Sequence, residues 1–301
     1  MSMPNIEVID LQFQATAETI AAFLIEGPGG PVLVETGPGS TLPRLLAELE
    51  ERGVQAGEIQ GVLVTHIHLD HAGASGWWAR RGVPVYVHRI GAPHLIDPSK
   101  LLASAERIYG DRMQQLWGDI LPAPAESVFA VEDGQRIEVG GLRFEALETA
   151  GHARHHHVFR LQDIGFTGDA LGILLPGRRW IDLPAPPPEF DLKTWKKSLA
   201  RIRKREFSKV YRTHFGASIG VAEEIDRFEE TLDAAARLVR SWIEEEAPRD
   251  EMVGRYEQVM RERATAAGLD AASARAYELA NPRAMSVDGI VRYWRNQARA
   301  A

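Results

Sequence analysis

Residues 61–73, "GVLVTHIHLDHAG", run from an apolar stretch straight into three histidines and an aspartate. Val62 to Thr65 has the length and β-branched content of a buried strand. Side chains alternate along an extended chain, so His66 and His68 project to the same side at a spacing that suits one metal ion. Asp70 and His71 follow where the chain turns toward a helix, which lets them face a second ion beside the first. Imidazole and carboxylate together suit zinc, iron, manganese or nickel. The chain has ten histidines in 301 residues. On that composition the pattern arises by chance well below about one time in a hundred.

Composition narrows the chemistry further. There is no cysteine, which excludes disulfides, thiolate ligands and cysteine nucleophiles, so any transition-metal site is built from imidazole and carboxylate. A hydrophobic fraction of 45% and a charged fraction of 26% belong to an ordinary folded chain rather than a disordered or membrane-embedded one. No apolar run reaches the roughly 18 residues of a spanning helix, and "MSMPNIEVIDLQF" lacks the basic-then-apolar order of a secretory signal. A cytoplasmic location without a membrane partner is therefore expected. The formal charge of −7 gives no general attraction to nucleic acid, and the basic run "RIRKREFSK", 201–209, reads as a solvated helix face.

Around the histidines the chain alternates. "TIAAFLIEGPGGPVLVETG", 19–37, is two apolar runs about a "GPGG" hairpin signal. "TLPRLLAELEERG" has helical spacing with Thr41 as N-cap and Gly53 as stop. "ASGWWARRG" reads as a helix and "VPVYVH" as a strand, so a sheet with helices packed on it is expected. Residues 89–130 break the rhythm with an apolar helical insertion containing Tyr109, Met113 and Trp117, either a lid over a site or plain core packing. Strands then return in "QRIEVGGLRFEALET", "HHVFRL", "IGFTGDAL" and "KVYRTHFG", with "PAPPPEFD" as a rigid connection to the helix "LKTWKKSLARIRK". No strand pattern appears after residue 214. From residue 221, Ile225, Phe228, Leu232, Ala235, Val239 and Trp242 recur at steps of three and four, marking a long amphipathic helix, and three shorter helical patterns follow. The organisation predicted is an α/β domain over residues 1–219 and an all-helical extension over residues 220–301.

"THIHLDHAG" resembles the HxHxDH signature of the metallo-β-lactamase superfamily. The family's later ligand positions are matched in order by "GHA" with His152, "TGDAL" with Asp169 and "RTHFG" with His214. The resemblance covers about residues 6–219. It implies a four-layer αβ/βα sandwich with a dinuclear metal site at the sheet edges. His66, His68 and His152 would then hold one ion, Asp70, His71 and His214 the other, and Asp169 would bridge them. One departure stands out: Glu35 occupies a position behind the ligands where the family usually has aspartate. Glyoxalase II-like members carry a second histidine four residues after the ligand, and His156 falls at that offset, which implies a supporting role behind His152. By strand alternation His155 and His157 face the other way and read as strand or surface positions. His88 and His94 read as structural.

The function implied is hydrolysis. Two divalent cations sharing a carboxylate lower the pKa of a bound water from about 15.7 toward 7; zinc is the leading candidate, with iron and manganese also compatible. Asp70 would orient or shuttle the proton. The helical tail is similar in placement to that of glyoxalase II and of the quinolone-signal response thioesterase, which also has a comparable "GDALG" turn. An apolar insertion with Tyr109, Met113 and Trp117 suits a small-molecule acyl thioester or ester better than a bare phosphate, and Arg178 beside Arg179 is a candidate for an anionic group. A lactonase shares the ligand set. A sensor that keeps the metals without turnover is a separate class, and a nuclease is disfavoured by the acidic balance. The amphipathic tail can cap its own domain or pair with a second copy, so a homodimer stays open. "GASIG", 216–220, matches the G-x-S-x-G elbow, but no histidine follows residue 214 and Ser218 lacks its base.

Overall fold

The computed structural model describes residues 4–300. Two six-stranded sheets form its centre. The first contains β1 (Ile6–Asp10), β2 (Ala21–Gly27), β3 (Gly30–Val34), β4 (Val62–Leu63), β5 (Val85–His88) and β6 (Val128–Val131), side by side in that order. β1 to β3 pair antiparallel and β3 to β6 parallel. The second contains β7 (Arg136–Val139), β8 (Leu142–Glu148), β9 (His157–Leu161), β10 (Ile164–Phe166), β11 (Lys209–Arg212) and β12 (Gly216–Ser218), again in chain order, with only β10 and β11 parallel.

The apolar runs are continuous because both faces of these strands are covered. Alternate residues of β2 show this: Ala21, Phe23 and Ile25 point into the layer between the sheets, where they join Phe144, Phe159 and Phe166, while Ala22 and Leu24 join a second cluster on the outer face. That outer cluster is sealed by α1 (Leu42–Glu51) through Leu45 and Leu49, and by Trp78 of α3 (Ser75–Ala79), which follows the short α2 (Leu69–Ala72). The insertion supplies α4 (Ala92–Ile96), α5 (Ser99–Tyr109) and α6 (Met113–Trp117). On the outer face of the second sheet, α7 (Leu192–Arg203) buries Trp195, Leu199 and Ile202 against Leu147, Val158 and Val210. α8 (Val221–Glu244) packs its Ile225–Phe228–Leu232 stripe into the same cluster. α9 (Arg249–Ala266), α10 (Ala271–Ala280) and α11 (Arg283–Ala300) complete the chain and share this core through Tyr256, Tyr277 and Ile290. The four-layer sandwich with an all-helical C-terminal extension is thus observed. No described helix is long and apolar enough to cross a membrane.

Two local expectations are corrected. β12 is a strand after residue 214, pairing antiparallel with β11; three residues of Gly-Ala-Ser carry no alternation that would announce it. Thr41 precedes α1 but has helical backbone angles and caps nothing. Its hydroxyl donates to Pro38 O at 3.1 Å, because a short turn of 3-10 helix already leads into α1. Gly53, at φ 74°, does sit just past the end of that helix, in the left-handed conformation that glycine takes at least cost.

Candidate metal centre

Local structure delivers the first four polar residues as their spacing requires. β4 ends at Leu63, His68 is the last extended residue (φ −60°, ψ 151°), and α2 starts at Leu69. His152 comes from the loop between β8 and β9, Asp169 from the turn after β10, and His214 from the end of β11. Gly168 is needed in that turn: its φ is 48°, and a Cβ there would lie 2.4 Å from Thr65 Oγ1.

Three overlapping groups result, with ligand atoms all within 4.8 Å in each: His66, His68 and His152; His66, His71 and Asp169; Asp70, His71 and His214. His68 Nδ1 lies 2.9 Å from both His66 Nε2 and His152 Nε2. Asp169 turns Oδ2 toward His152 Nε2 at 3.2 Å and Oδ1 toward His71 Nε2 at 3.3 Å. Asp70 Oδ2 lies 3.2 Å from His214 Nε2 and 3.5 Å from His71 Nε2. All seven predicted ligands are therefore together, and the two oxygens of Asp169 address different halves of the cluster.

The tautomers follow from the far side of each ring. His152 Nδ1 and His214 Nδ1 face the carbonyls of Pro184 (2.8 Å) and Thr19 (2.6 Å); a carbonyl only accepts, so both Nδ1 atoms carry the proton. His71 Nδ1 donates to Glu35 Oε1 at 3.1 Å. Thr65 Oγ1 gives its own proton to Glu35 Oε1 at 2.5 Å, so at 3.1 Å it accepts from His66 Nδ1. Four rings thus turn Nε2 toward one another and toward two carboxylates. His71 Nε2, His214 Nε2 and Asp169 Oδ1 are buried with no hydrogen-bond partner. Buried ring nitrogens and carboxylate oxygens converging in this way form a donor set that fits divalent transition-metal binding.

The electrostatics divide the cluster. Burial lowers His68 to about 3, and burial together with neighbouring rings holds His66 well below the ordinary histidine value. At His71 and His214 burial also works downward, but the carboxylates of Asp70 and Asp169 outweigh it and raise both. Burial alone would raise Asp70, yet His71 and His214 bring it down to about 2.

Behind the ligands, Glu35 is fully buried at φ 66° and gathers Thr65, His71 and Thr213 on Oε1. His156 is equally buried: Nδ1 meets Thr149 Oγ1 at 2.8 Å, and Nε2 accepts from Asp169 N at 3.2 Å.

The cluster floors a cavity of about 650 Å³. Tyr109 and Trp117 line it, as predicted, together with Ile108 and Leu116 on the insertion and Leu279 and Met285 on the extension. Two predicted substrate residues do not. Met113 is absent from the cavity lining and packs, partly buried, against the hydrophobic cluster on the outer face of the first sheet. Arg178 is bound at the start of α10 by Asp270 Oδ2 and Ser273 Oγ, both at 2.9 Å. The expectation for His155 is also corrected. It is buried and lines the cavity, accepting from Ile67 N at 3.4 Å and approaching Glu189 Oε2 at 3.2 Å. Alternation does not reach His155, because β9 starts only at His157. His157 is a strand position, one of the two readings expected of it: it opens β9 and lies fully buried, its ring centroid 4.4 Å from that of His88. Nothing in the sequence marked Asn281, Leu279 or Met285, which lie in a helical tail whose placement is a tertiary matter.

Two stacked sheets carrying a shared His/Asp cluster at one edge define a metal-binding αββα sandwich. The chain belongs to the metallo-beta-lactamase superfamily, whose family profile matches residues 15–214. It is similar to the metallo-beta-lactamase fold-containing protein ST1585 of Sulfurisphaera tokodaii, at 30% identity over 46% of this chain and 54% of that protein. It is also similar to a hydroxyacylglutathione hydrolase of Stenotrophomonas maltophilia, at 29% identity over 57% of this chain and 53% of that one. The chain spans about half the length of these curated relatives. Among solved structures, the metallo-beta-lactamase family protein TTHA1429 of Thermus thermophilus shares the fold with a TM-score of 0.71 at 20% identity, over 97% of this chain and 94% of that one.

Proposed function

We propose that this protein is a dinuclear metal-dependent hydrolase acting on a thioester or carboxylic ester. The observation that carries the reading is the convergence of imidazole lone pairs and two carboxylates on the floor of a cleft whose walls are mainly apolar. His66, His68 and His152 would hold one ion, Asp70, His71 and His214 the other, with Asp169 reaching both. Zinc suits five imidazoles and two carboxylates, and iron or manganese are the competitors. When bound, such ions supply a water acidified toward a pKa of about 7 and a Lewis acid for the acyl oxygen.

The chain's own groups do the rest. Asp70 lines the cavity as a carboxylate, its pKa held to about 2, and is placed to orient a water's proton at the cleft floor. Tyr109, Leu116 and Trp117 wall off bulk solvent. A relative named as a hydrolase of an acylated glutathione supports the acyl side.

A turnover screen across thioesters, esters, lactones, β-lactams and phosphodiesters, with and without chelator, tests the reading. Chelator-sensitive cleavage of esters or thioesters is expected. Phosphodiester cleavage alone would overturn the acyl assignment, lactone cleavage alone would favour the lactonase, and stoichiometric metal without any turnover would favour the sensor.

A further inference from the structure

We propose that the cleft over the metal centre is a site for a linear acyl chain of medium length. Its carbonyl end would meet the His/Asp floor and its chain would run out between the insertion and the C-terminal extension. The proposal rests on the ester or thioester reading above.

Polarity separates along the cleft. His68, Asp70, His152, Asp169 and His214 form the floor, while Ile108, Leu116 and Trp117 rise on one side and Leu279, Pro282 and Met285 on the other. The two walls touch where Tyr109 Oη donates to Met285 Sδ at 3.3 Å, which occupies the hydroxyl of that wall. Tyr109 also packs edge-on against Trp117 at 5.0 Å, and Trp117 stacks on Phe13 at 5.5 Å, so the insertion side is an interlocked aromatic surface. A ligand with one hydrolysable polar end and an apolar body matches this division.

Charge is confined to a few residues of the cleft lining. Arg154 is paired with Glu189 at 3.0 Å and Glu278 lines the extension side, while Lys100 and Arg112 line the insertion side. The charged groups of the cleft are therefore mixed, and any anionic group of the ligand belongs beside those two cations rather than along the apolar walls. Size sets the length. At about 30 Å³ for each water-sized group, a cavity of 650 Å³ takes roughly 20 non-hydrogen atoms, leaving roughly ten for the chain once the reacting end and part of the leaving group are seated. Ile108 supplies the remaining signal. It is 45% exposed at the cleft, apolar surface that a bound chain would take out of water.

The test is a chain-length series of acyl N-acetylcysteamine thioesters from acetyl to dodecanoyl, with kcat/KM measured on the metal-loaded protein. In parallel, binding of acetate, hexanoate and decanoate is measured by calorimetry. We expect kcat/KM and carboxylate affinity to rise by about fourfold per methylene until the cleft is full. Met285→Trp, which fills the outer cleft, should cut the decanoyl-to-acetyl ratio at least about tenfold. Ile108→Ser, at a half-exposed position where folding is not at stake, should cut it about fourfold or more. Arg249→Ala, which breaks surface pairs with Asp250 and Asp288 on the same extension, should leave the ratio unchanged.

Equal turnover and equal binding across lengths would overturn the acyl-chain site and leave the hydrolase reading standing. Length-dependent carboxylate binding without any turnover would support the site and overturn the hydrolase. A ratio that ignores both Met285→Trp and Ile108→Ser would overturn the placement of the chain.

Discussion

The Nδ1–H of His152 donates to the carbonyl oxygen of Pro184 at 2.8 Å, and that carbonyl is held in place by the C-terminal extension. Asn281 Nδ2 donates to Leu183 O and to Asp182 Oδ2, both at 2.9 Å, and Arg283 pairs with the same Asp182 oxygen. Ser286 Oγ lies 2.9 Å from Leu183 O and accepts from Ala185 N at 3.3 Å. α11 comes so close that a Cβ on Gly289 would lie 1.9 Å from Ala185 O. The tail thus grips the residues on either side of Pro184, whose carbonyl fixes the Nδ1 proton of His152. Groups that orient a metal-binding histidine are typically worth about 10–100-fold in metal affinity. Ser286→Ala and Asn281→Ala should therefore weaken one of two bound ions by about tenfold or more, read by competition with a chromophoric chelator. Unchanged affinity in both variants would show that the grip does not reach the metal centre.

Glu35 offers a second handle. Glu35→Ala would strand the hydroxyls of Thr65 and Thr213 and the Nδ1–H of His71, all buried. Unsatisfied buried donors cost about 1–3 kcal/mol each before relaxation, so the chelated protein should lose at least about 2 kcal/mol in urea unfolding. Glu35→Asp, the residue usual in the family, keeps the charge and should lose less than half as much.

Acid should empty the two ion positions in order. Protons compete with metal for the Nε2 lone pairs. His71 and His214 are raised by Asp70 and Asp169, so protons claim them from a higher pH, whereas burial keeps His68 near 3 and lowers His66 and His152. Falling pH should therefore strip the ion of Asp70, His71 and His214 first. Metal analysis after dialysis at stepwise lower pH should pass through a plateau near one equivalent, and simultaneous loss of both would contradict this assignment.

Asp169 and Arg178 make a contrasting pair. Asp169→Ala removes the carboxylate that reaches both halves of the cluster, so stoichiometry should fall below two and turnover by at least about a thousandfold. Two tightly held ions in that variant would refute the bridge. Arg178→Ala breaks a half-exposed pair with Asp270, costs under about 1 kcal/mol and should change kcat/KM less than about twofold.

Much of the molecule was legible in one dimension wherever the governing physics is local. Alternation put His66 and His68 on one side, the strand-to-helix turn placed Asp70 and His71 beside them, and three-and-four spacing outlined α8. Those rules act over a few residues and need no partner. The superfamily resemblance then ordered His152, Asp169 and His214, and the seven residues expected as ligands lie together. What escaped was set by packing. His155 was misread because it precedes the strand and faces the cavity. The burial of His157, a strand position as expected, was not legible because alternation cannot tell which faces of a sheet are covered. Met113 and Arg178 lie off the cavity because packing against the outer cluster and pairing with Asp270 and Ser273 are tertiary contacts that the local sequence does not announce. The far cleft wall at Leu279 and Met285, and the grip of Asn281 and Ser286 on Pro184, exist only once α10 and α11 fold back over the second sheet. Their hydrogen bonds span about a hundred residues. The ligand set was therefore written in the sequence, whereas the shape of the space above it was decided by long-range burial of the tail in the core around Trp195 and Phe228.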